Sequence, residues 1–225
     1  RNGKFNLFGS YSNSVAKNVN YGQIDRLEQD IQQNFNILNN NKSNLFKVGL
    51  DYYLDDKNTF SVFTNQNIYD GRGDVDSRIA YFNDASLNES QYTRTDNETD
   101  NQQYNFNYKH DFNDDGHNLE LEVDYNTFEG LGDTNNLFFS SQRPNFIEAT
   151  DTERDNTTIN LDYMNPLSET TKLELGLQAR LFDTNIFYES NAREQNEFGD
   201  YIPTTTNFDY SRDIYSAYAT YGKKM

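Results

Sequence analysis

The chain has 225 residues, a formal net charge of −17, 34% hydrophobic residues and a mean hydropathy of −0.98. The charge excludes nucleic acid as a partner, because phosphate binding needs a basic surface, and the absence of cysteine excludes a disulfide framework and thiolate metal sites. So low an apolar content would suggest disorder, but the aromatic residues make up 15% of the chain and stand at alternating positions.

The first half of the chain contains segments that alternate between apolar and polar residues with a period of two. Residues 5–11, 46–54 and 60–68 follow this pattern, which is typical of β-strands with one apolar face. A polar turn at residues 55–58 separates the second segment from the third. These segments therefore predict a strand, followed by a strand-turn-strand unit.

The clearest unit is a hairpin over residues 103–125, whose arms both alternate. Its turn is Asn-Asp-Asp-Gly at 113–116, and a turn that ends in Asp-Gly strongly indicates a hairpin. The predicted register pairs Phe112 with His117, Tyr108 with Leu121, Phe106 with Val123, Tyr104 with Tyr125, Lys109 with Glu120, Asn107 with Glu122, and Asn105 with Asp124. Because paired residues of an antiparallel ladder point the same way, this register gives one apolar face and one charged face.

The second half of the chain adds strands at residues 159–163, 173–181 and 214–221, with a turn at 166–170 between the first two. About eight strands result, and their connections alternate in length. The short connections are 55–58, 113–116 and 166–170, and the polar stretches predicted as long loops are 14–44, 70–100, 129–156 and 189–207. Short periplasmic turns and longer extracellular loops are typical of transmembrane β-barrels, whereas compact domains rarely carry several long loops.

The alternation itself does not decide what the apolar face contacts. No apolar run approaches the ~20 residues of a membrane helix, but a transmembrane strand needs only ~9–11 residues. In a soluble sandwich the apolar face would pack inward, and in a membrane barrel it would face lipid. Tyrosines near strand ends, such as Tyr104 and Tyr163, favour the membrane because one end of the ring is apolar and the other wet.

Two segments carry a resemblance to a known family. Residues 47–59, KVGLDYYLDDKNT, resemble a strand-turn-strand of the barrel domain of TonB-dependent outer-membrane receptors of the Bacteroidota type. Residues 208–221, FDYSRDIYSAYATY, are similar to a strand that recurs in that family. The resemblance implies an all-β, antiparallel barrel of 22 strands around a plug, in the cell outer membrane of a Gram-negative bacterium.

The resemblance also implies a function and partners. It implies uptake of a scarce nutrient with energy from TonB, in contact with outer-membrane lipid and lipopolysaccharide. The remaining barrel strands, the plug, the TonB complex and a surface lipoprotein are the implied protein partners. No nucleic acid is expected.

The chain departs from the family pattern in several respects. No plug or TonB-interacting segment is recognisable, eight strands are too few, and the last residues are Lys223-Lys224-Met225 where a terminal aromatic would be expected. We therefore expect residues 1–225 to form one incomplete domain of a larger barrel. The alternatives are a closed eight-stranded barrel with a structural role and a secreted acidic β-sandwich that acts as a binding or adhesion module.

Few residues suggest chemistry, and neither enzyme activity nor a cofactor is expected, because no nucleophile motif or phosphate loop is present. His110 and His117 flank the hairpin turn without a third preset ligand, so we interpret them as a turn-edge pair. Asp70, Asp74 and Asp76 are spaced loosely like a calcium loop but lack its bidentate glutamate. They predict at most weak cation binding in an outer loop.

A larger set of charged residues is predicted to line the lumen as an ionic ladder. Its members are Lys109, Glu120, Glu122, Asp124, Asp162, Glu174 and Arg180. Such a ladder could form a selectivity filter or a surface for docking a plug. It could equally be a solvated face that is balanced by cross-strand ion pairs.

Overall fold

A computed structural model describes residues 3–139, 143–195, 199 and 201–223. Its strands are β1 (Phe5–Arg26), β2 (Ile31–Tyr53), β3 (Asn58–Tyr81), β4 (Glu89–Asp111), β5 (Asn118–Phe139), β6 (Phe146–Ser168), β7 (Thr171–Gln195) and β8 (Tyr201–Lys223). Two short 3-10 helices, Leu27–Gln29 and Ala85–Leu87, lie between strands. Among the described residues, no helix is long and apolar enough to cross a lipid bilayer.

Each strand pairs antiparallel with the next, giving a single eight-stranded sheet in the order β1 to β8. The predicted all-β, up-and-down architecture is confirmed. In the described residues β1 and β8 do not pair with each other, so the sheet is open. The sandwich alternative is wrong, because a sandwich needs a second sheet to cover the apolar face of the first.

The predicted register of the central hairpin is confirmed: Phe106 pairs with Val123, and every other predicted pair within the strands also occurs. In the turn, the Phe112 N–H donates to the His117 carbonyl at 2.8 Å. The Asn113 Oδ1 accepts from the N–H groups of Asp115 and His117 at 3.1 and 3.2 Å. Gly116 has a φ of 89°, a conformation that glycine adopts without a steric penalty.

The prediction of four long loops is wrong, because most residues of these polar stretches lie in strands. Residues 140–142, 196–198 and 200, which fall in two of the stretches, lie outside the described residues. The eight strands have 22–25 residues each, whereas crossing a membrane takes ~9–11. At the rim opposite the hairpin turn, called the distal rim, only residues 27–30 join β1 to β2 and only 82–88 join β3 to β4. The parts of the strands that continue past the apolar segments towards the distal rim are called the strand extensions. Both of their faces are largely polar, so the sequence there does not alternate between apolar and polar residues although the strands remain paired.

The connection between β6 and β7 is also shorter than predicted. Strand β6 continues through Pro166 to Ser168, and only residues 169–170 form the turn. The register shifts between Pro166 and Ser168. An irregularity of this kind is where a strand tolerates proline, which cannot donate to the ladder.

The polar face of the sheet is more buried than the apolar face, which is the reverse of the arrangement in water-soluble proteins. Eight of the residues that the structure describes are buried, and all of them lie on the polar face: Gly49, Gly71, Ser77, Asn105, Asn136, Thr152, Gly176 and Ser190. No apolar side chain is buried among the described residues. On the opposite, outer face, Leu7 is 74% exposed and Leu177 is 57% exposed. The sheet therefore shelters its polar side and leaves its apolar side open.

The apolar residues of the outer face form continuous rows across the strands. One row consists of Leu7, Leu50, Val62, Phe106, Val123, Ile159, Ala179 and Tyr215. In the next row, the rings of Phe5, Tyr52, Phe60 and Tyr108 follow one another at centroid distances of 4.8, 6.3 and 4.7 Å. On β7 the rows run from Leu173 to Leu181, and eight steps of ~3.3 Å at a tilt of ~40° give a band ~20 Å tall. This height approaches the ~25 Å apolar band of outer-membrane barrels.

Candidate functional site on the polar face

The structure places all seven residues of the predicted ionic ladder on the polar face, on strands β4 to β7. The register also places Lys109 directly opposite Glu120. This register suggested ion pairs between neighbouring strands, but the side chains of the ionic ladder make other contacts. The carboxylates and the cations of the ladder each have partners of their own, and these partners determine which groups remain available for binding.

The carboxylates on β5 accept hydrogen bonds from amides of β4. Asn107 Nδ2 donates to Glu120 at 2.6 Å. Asn105 Nδ2 donates to Asp124 at 3.0 Å and to Glu122 at 3.5 Å. Asn105 is only 8% exposed, so these bonds are sheltered from water. The amides solvate the acidic groups without neutralising them.

Two lysines of this face, Lys109 and Lys172, pair along their own strands. Lys109 Nζ lies 3.2 Å from Asp111, and Lys172 Nζ lies 2.6 Å from Glu174. Each pair joins residues two apart, whose side chains point to the same side of a strand. Within the described residues, the ladder therefore contains no cross-strand ion pair of the kind expected from the register.

Asp162 belongs to a packed unit with Gly176 and Tyr218. The Tyr218 hydroxyl donates to Asp162 Oδ1 at 2.8 Å, and the ring crosses the backbone of Gly176. A Cβ at position 176 would lie 1.9 Å from Tyr218 Cε1. Only glycine leaves room for this ring, which thereby links β6, β7 and β8 on the polar face.

A cavity on the same face was not predicted from the sequence. It is lined by Asn156, Thr158, Asn160, Gln178, Arg180, Phe182, Arg212 and Ile214. Gln178 Nε2 donates to Asn160 Oδ1 at 2.7 Å, which holds two of the amides together. The last predicted strand began at residue 214, so Arg212 was missed. Extending its alternation backwards by two residues would have placed Arg212 on the polar face.

The three aspartates predicted as an outer cation loop lie on β3, not in a loop. Asp70, Asp74 and Asp76 share the outer face, beyond the apolar rows. Asp74 pairs with Arg72 at 3.1 Å and with Arg94 at 3.6 Å. The described residues contain no group of three His, Asp or Glu side chains placed to hold a metal ion.

Asp74 also accepts a hydrogen bond from the Tyr92 hydroxyl. That bond, together with partial burial and the negative charge of Asp74, raises the pKa of the Tyr92 hydroxyl. Asp74 thus has three partners of its own, and its interactions contribute to the cohesion of the β3–β4 extension.

The two histidines are part of an aromatic cluster at the rim that carries the hairpin turn. His110 Nδ1 lies 2.8 Å from Asn58 Oδ1, and His117 Nε2 lies 2.8 Å from the Tyr163 hydroxyl. The Phe112 ring contacts both, at centroid distances of 4.5 and 4.3 Å. Rings with one wet and one apolar end suit a membrane interface.

The outer face beyond the apolar rows is strongly acidic. The first two rows there carry Asp155, Asp183, Asp100, Glu129, Glu153 and Asp209, and Asp213 lies in the last apolar row, opposite Leu181. Tyr125 reaches from the last apolar row to donate to Asp155 at 2.7 Å. The acidic character of the chain is therefore concentrated on the outer side of the strand extensions.

Residues 110–225, which include β5 to β8, match the sequence profile of the outer membrane protein beta-barrel family. The ferric yersiniabactin uptake receptor FyuA from Yersinia pestis is similar in structure, with 8% identity, a TM-score of 0.40, and coverage of 96% of this chain and 43% of the receptor. The outer membrane protein AlkL, solved in DMPC bilayers, has 13% identity and a TM-score of 0.23, covering 98% of this chain and 89% of its own. The chain thus spans less than half the length of FyuA. No curated protein matches the chain in sequence.

Proposed function

The chain belongs to the outer membrane protein beta-barrel family, and from this we propose that it is a wall segment of a TonB-dependent uptake receptor of the Bacteroidota type. The receptor would import a scarce nutrient across the outer membrane of a Gram-negative bacterium. It would catalyse no reaction. Its partners would be lipid, lipopolysaccharide, the remaining strands and plug of the barrel, the TonB complex and a surface lipoprotein.

The observation that carries this proposal is the inverted burial of the sheet. Every buried residue in the described ranges lies on the polar face, and the apolar rows of the outer face are exposed. A water-soluble protein would bury the apolar face, since ~25 cal/mol is gained per Å² removed from water. A membrane wall turns that face to lipid and its polar face to an aqueous lumen.

The open edges of the sheet support a larger barrel. Unpaired backbone groups on β1 and β8 would cost several kcal/mol each in lipid, so these edges need partners. Strands β1 and β8 run in opposite directions, since seven antiparallel pairings separate them. An even number of further strands can therefore close the barrel, and a 22-stranded transporter would supply 14 beyond the eight present here.

A first experiment tests the membrane assignment on the native polypeptide. We expect it to sediment with outer membranes, to require detergent for extraction and to be much heavier than 26.3 kDa. A water-soluble species of that small mass would refute the proposal. A detergent-requiring species of the same small mass would replace it with a closed eight-stranded barrel.

A second experiment tests the coupling to TonB genetically. Strains lacking the gene, lacking TonB function, or lacking both would be grown with iron, cobalamin or an oligosaccharide as the limiting nutrient. We expect the gene deletion to reproduce one nutrient-specific defect of the TonB-deficient strain, and the double deletion to add nothing. A defect that is additive in the double deletion, or parental growth on each nutrient, would contradict TonB-dependent uptake.

A further inference from the structure

Two neighbouring arginines on the polar face, Arg180 and Arg212, lack an ion-pair partner among the described residues. Strand pairing places Arg180 opposite Ile214 and Arg212 opposite Phe182, so the arginines are diagonal neighbours on β7 and β8. Diagonal positions are ~7–8 Å apart, which long side chains bridge easily, and both arginines line one cavity. Neither forms an ion pair or donates a hydrogen bond to any part of the chain that the structure describes.

The carboxylate in the same row as Arg180 forms hydrogen bonds with other residues. Asp124 shares a row with Thr158 and Arg180 but lies on β5, two strands from Arg180. It accepts hydrogen bonds from Asn105 at 3.0 Å and from Gln103 at 3.4 Å. No acidic residue lines the cavity itself. In a chain with a net charge of −17, this cavity is a local concentration of uncompensated positive charge.

The other lining residues add neutral hydrogen-bonding groups. Asn156, Thr158 and Asn160 come from β6 and Gln178 from β7. The bond from Gln178 to Asn160 fixes one amide pair at 2.7 Å. Amides and hydroxyls can donate to an oxyanion around two guanidinium forks, without bringing a competing negative charge.

We propose that Arg180 and Arg212 form a binding site for an oxyanion, a carboxylate or phosphate group carried by a solute in the lumen. Guanidinium groups bind both anions with paired, charge-assisted hydrogen bonds, which a lysine cannot reproduce in geometry. The site is a feature of the polar face, and its role in selecting an imported solute rests on the proposed uptake function. Anionic solutes are then the substrate class that the receptor favours.

Calorimetry on the full-length protein, purified in detergent at low salt, tests this site. The probes are inorganic phosphate and citrate, with glucose as an uncharged comparison. We expect phosphate and citrate to bind and glucose not to bind. Arg180→Gln and Arg212→Gln should each weaken binding about tenfold or more, since each removes the charge-assisted hydrogen bonds of one guanidinium group. The Arg→Lys variants should lie between these and the parent.

Arg78→Gln is the matched control. It removes one positive charge from the outer face of β3, where Arg78 pairs in register with Asn34 and Ser90. Its binding constants should equal those of the parent, and heat-shifted mobility on gels confirms that each variant is folded. A parent that binds neither anion, or an equal loss in Arg78→Gln and Arg180→Gln, would overturn the proposal.

The outcome also separates this site from the transport function. Anion binding that depends on the two arginines, in a protein whose deletion phenotype is independent of TonB, supports the site and refutes TonB-dependent uptake. TonB-dependent growth without anion binding supports uptake and refutes the site.

Discussion

Arginine substitutions at Val62 and Ser61 would test directly which face of the sheet meets lipid. The two positions are adjacent on β3, so their side chains point to opposite faces. Val62 is 44% exposed and belongs to one of the inner apolar rows of the outer face. The Ser61 hydroxyl donates to Asp51 at 2.7 Å on the polar face. An arginine at 61 would therefore meet a carboxylate, and an arginine at 62 would meet hydrocarbon.

The expected loss of stability depends on how deep in the bilayer the arginine lies. An arginine on the lipid face costs about 2–4 kcal/mol at the bilayer midplane and about 0–1 near the interface. The row of Val62 is the fourth of the five apolar rows of β7 when these are counted from the rim of the hairpin turn. This row lies between the middle of the band and its edge, so Val62→Arg should lower the free energy of unfolding by about 1–3 kcal/mol. Ser61→Arg should change it by less than about 1 kcal/mol.

Ile68→Arg provides the depth control on the same strand and face. Ile68 lies six residues beyond Val62, about 20 Å along the strand, and its cavity contains Asp100 and Glu129. We expect a cost of about 0–1 kcal/mol. The assay is denaturant unfolding of the full-length protein in lipid vesicles. Equal losses for Val62→Arg and Ser61→Arg would refute the assignment of the faces, and a larger loss for Ser61→Arg would reverse it.

Two further predictions concern packing and pH. Gly176→Ala should lower the free energy of unfolding by about 1–3 kcal/mol, because the new Cβ collides with the Tyr218 ring, and the same change in a Tyr218→Leu background should cost less. In the turn before β3, hydrogen bonds from the Asn58 side chain and then from the Lys57 N–H lower the pKa of Asp55. This contribution is fully present above the ordinary aspartate pKa of ~3.9 and is lost as the pH falls through the lower folded-state value. Melting curves should therefore show less loss of stability on acidification for Asp55→Asn than for the parent, and parallel curves would contradict the prediction.

The part of the fold that could be predicted is the part with a two-residue period. From Tyr104 to Tyr125 one side of each strand must be apolar to face lipid and the other polar to face water. Only one register keeps both sides consistent across the hairpin, and the structure has that register. The strand extensions have water on the outer side and polar groups on the inner side. Thr95 and Thr134 pair there at 3.1 Å without any contrast between faces, and polar strands then look like loops in a sequence.

The candidate site was only partly predictable for a related reason. Arg180 stands in the strand with the clearest alternation and was placed correctly on the polar face. Arg212 stands where β8 leaves the apolar rows, and only the pairing with Phe182 shows that it shares a cavity with Arg180. Whether the ladder carboxylates pair with cations or amides depends on side-chain reach, as with Asn107 and Glu120.

In the proposed receptor, the strand extensions would determine how a solute is received at the distal rim. Flexible gate loops lose conformational entropy when they close on a ligand, at about 0.5–1.5 kcal/mol per immobilised side chain. In this chain the strand extensions are already ordered by the backbone hydrogen bonds of the sheet and by cross-strand bonds such as that from the Tyr69 hydroxyl to Asn41 Oδ1 at 3.0 Å. A solute of the proposed receptor would therefore meet a preorganised passage, and discrimination between solutes would depend on direct contacts with the wall.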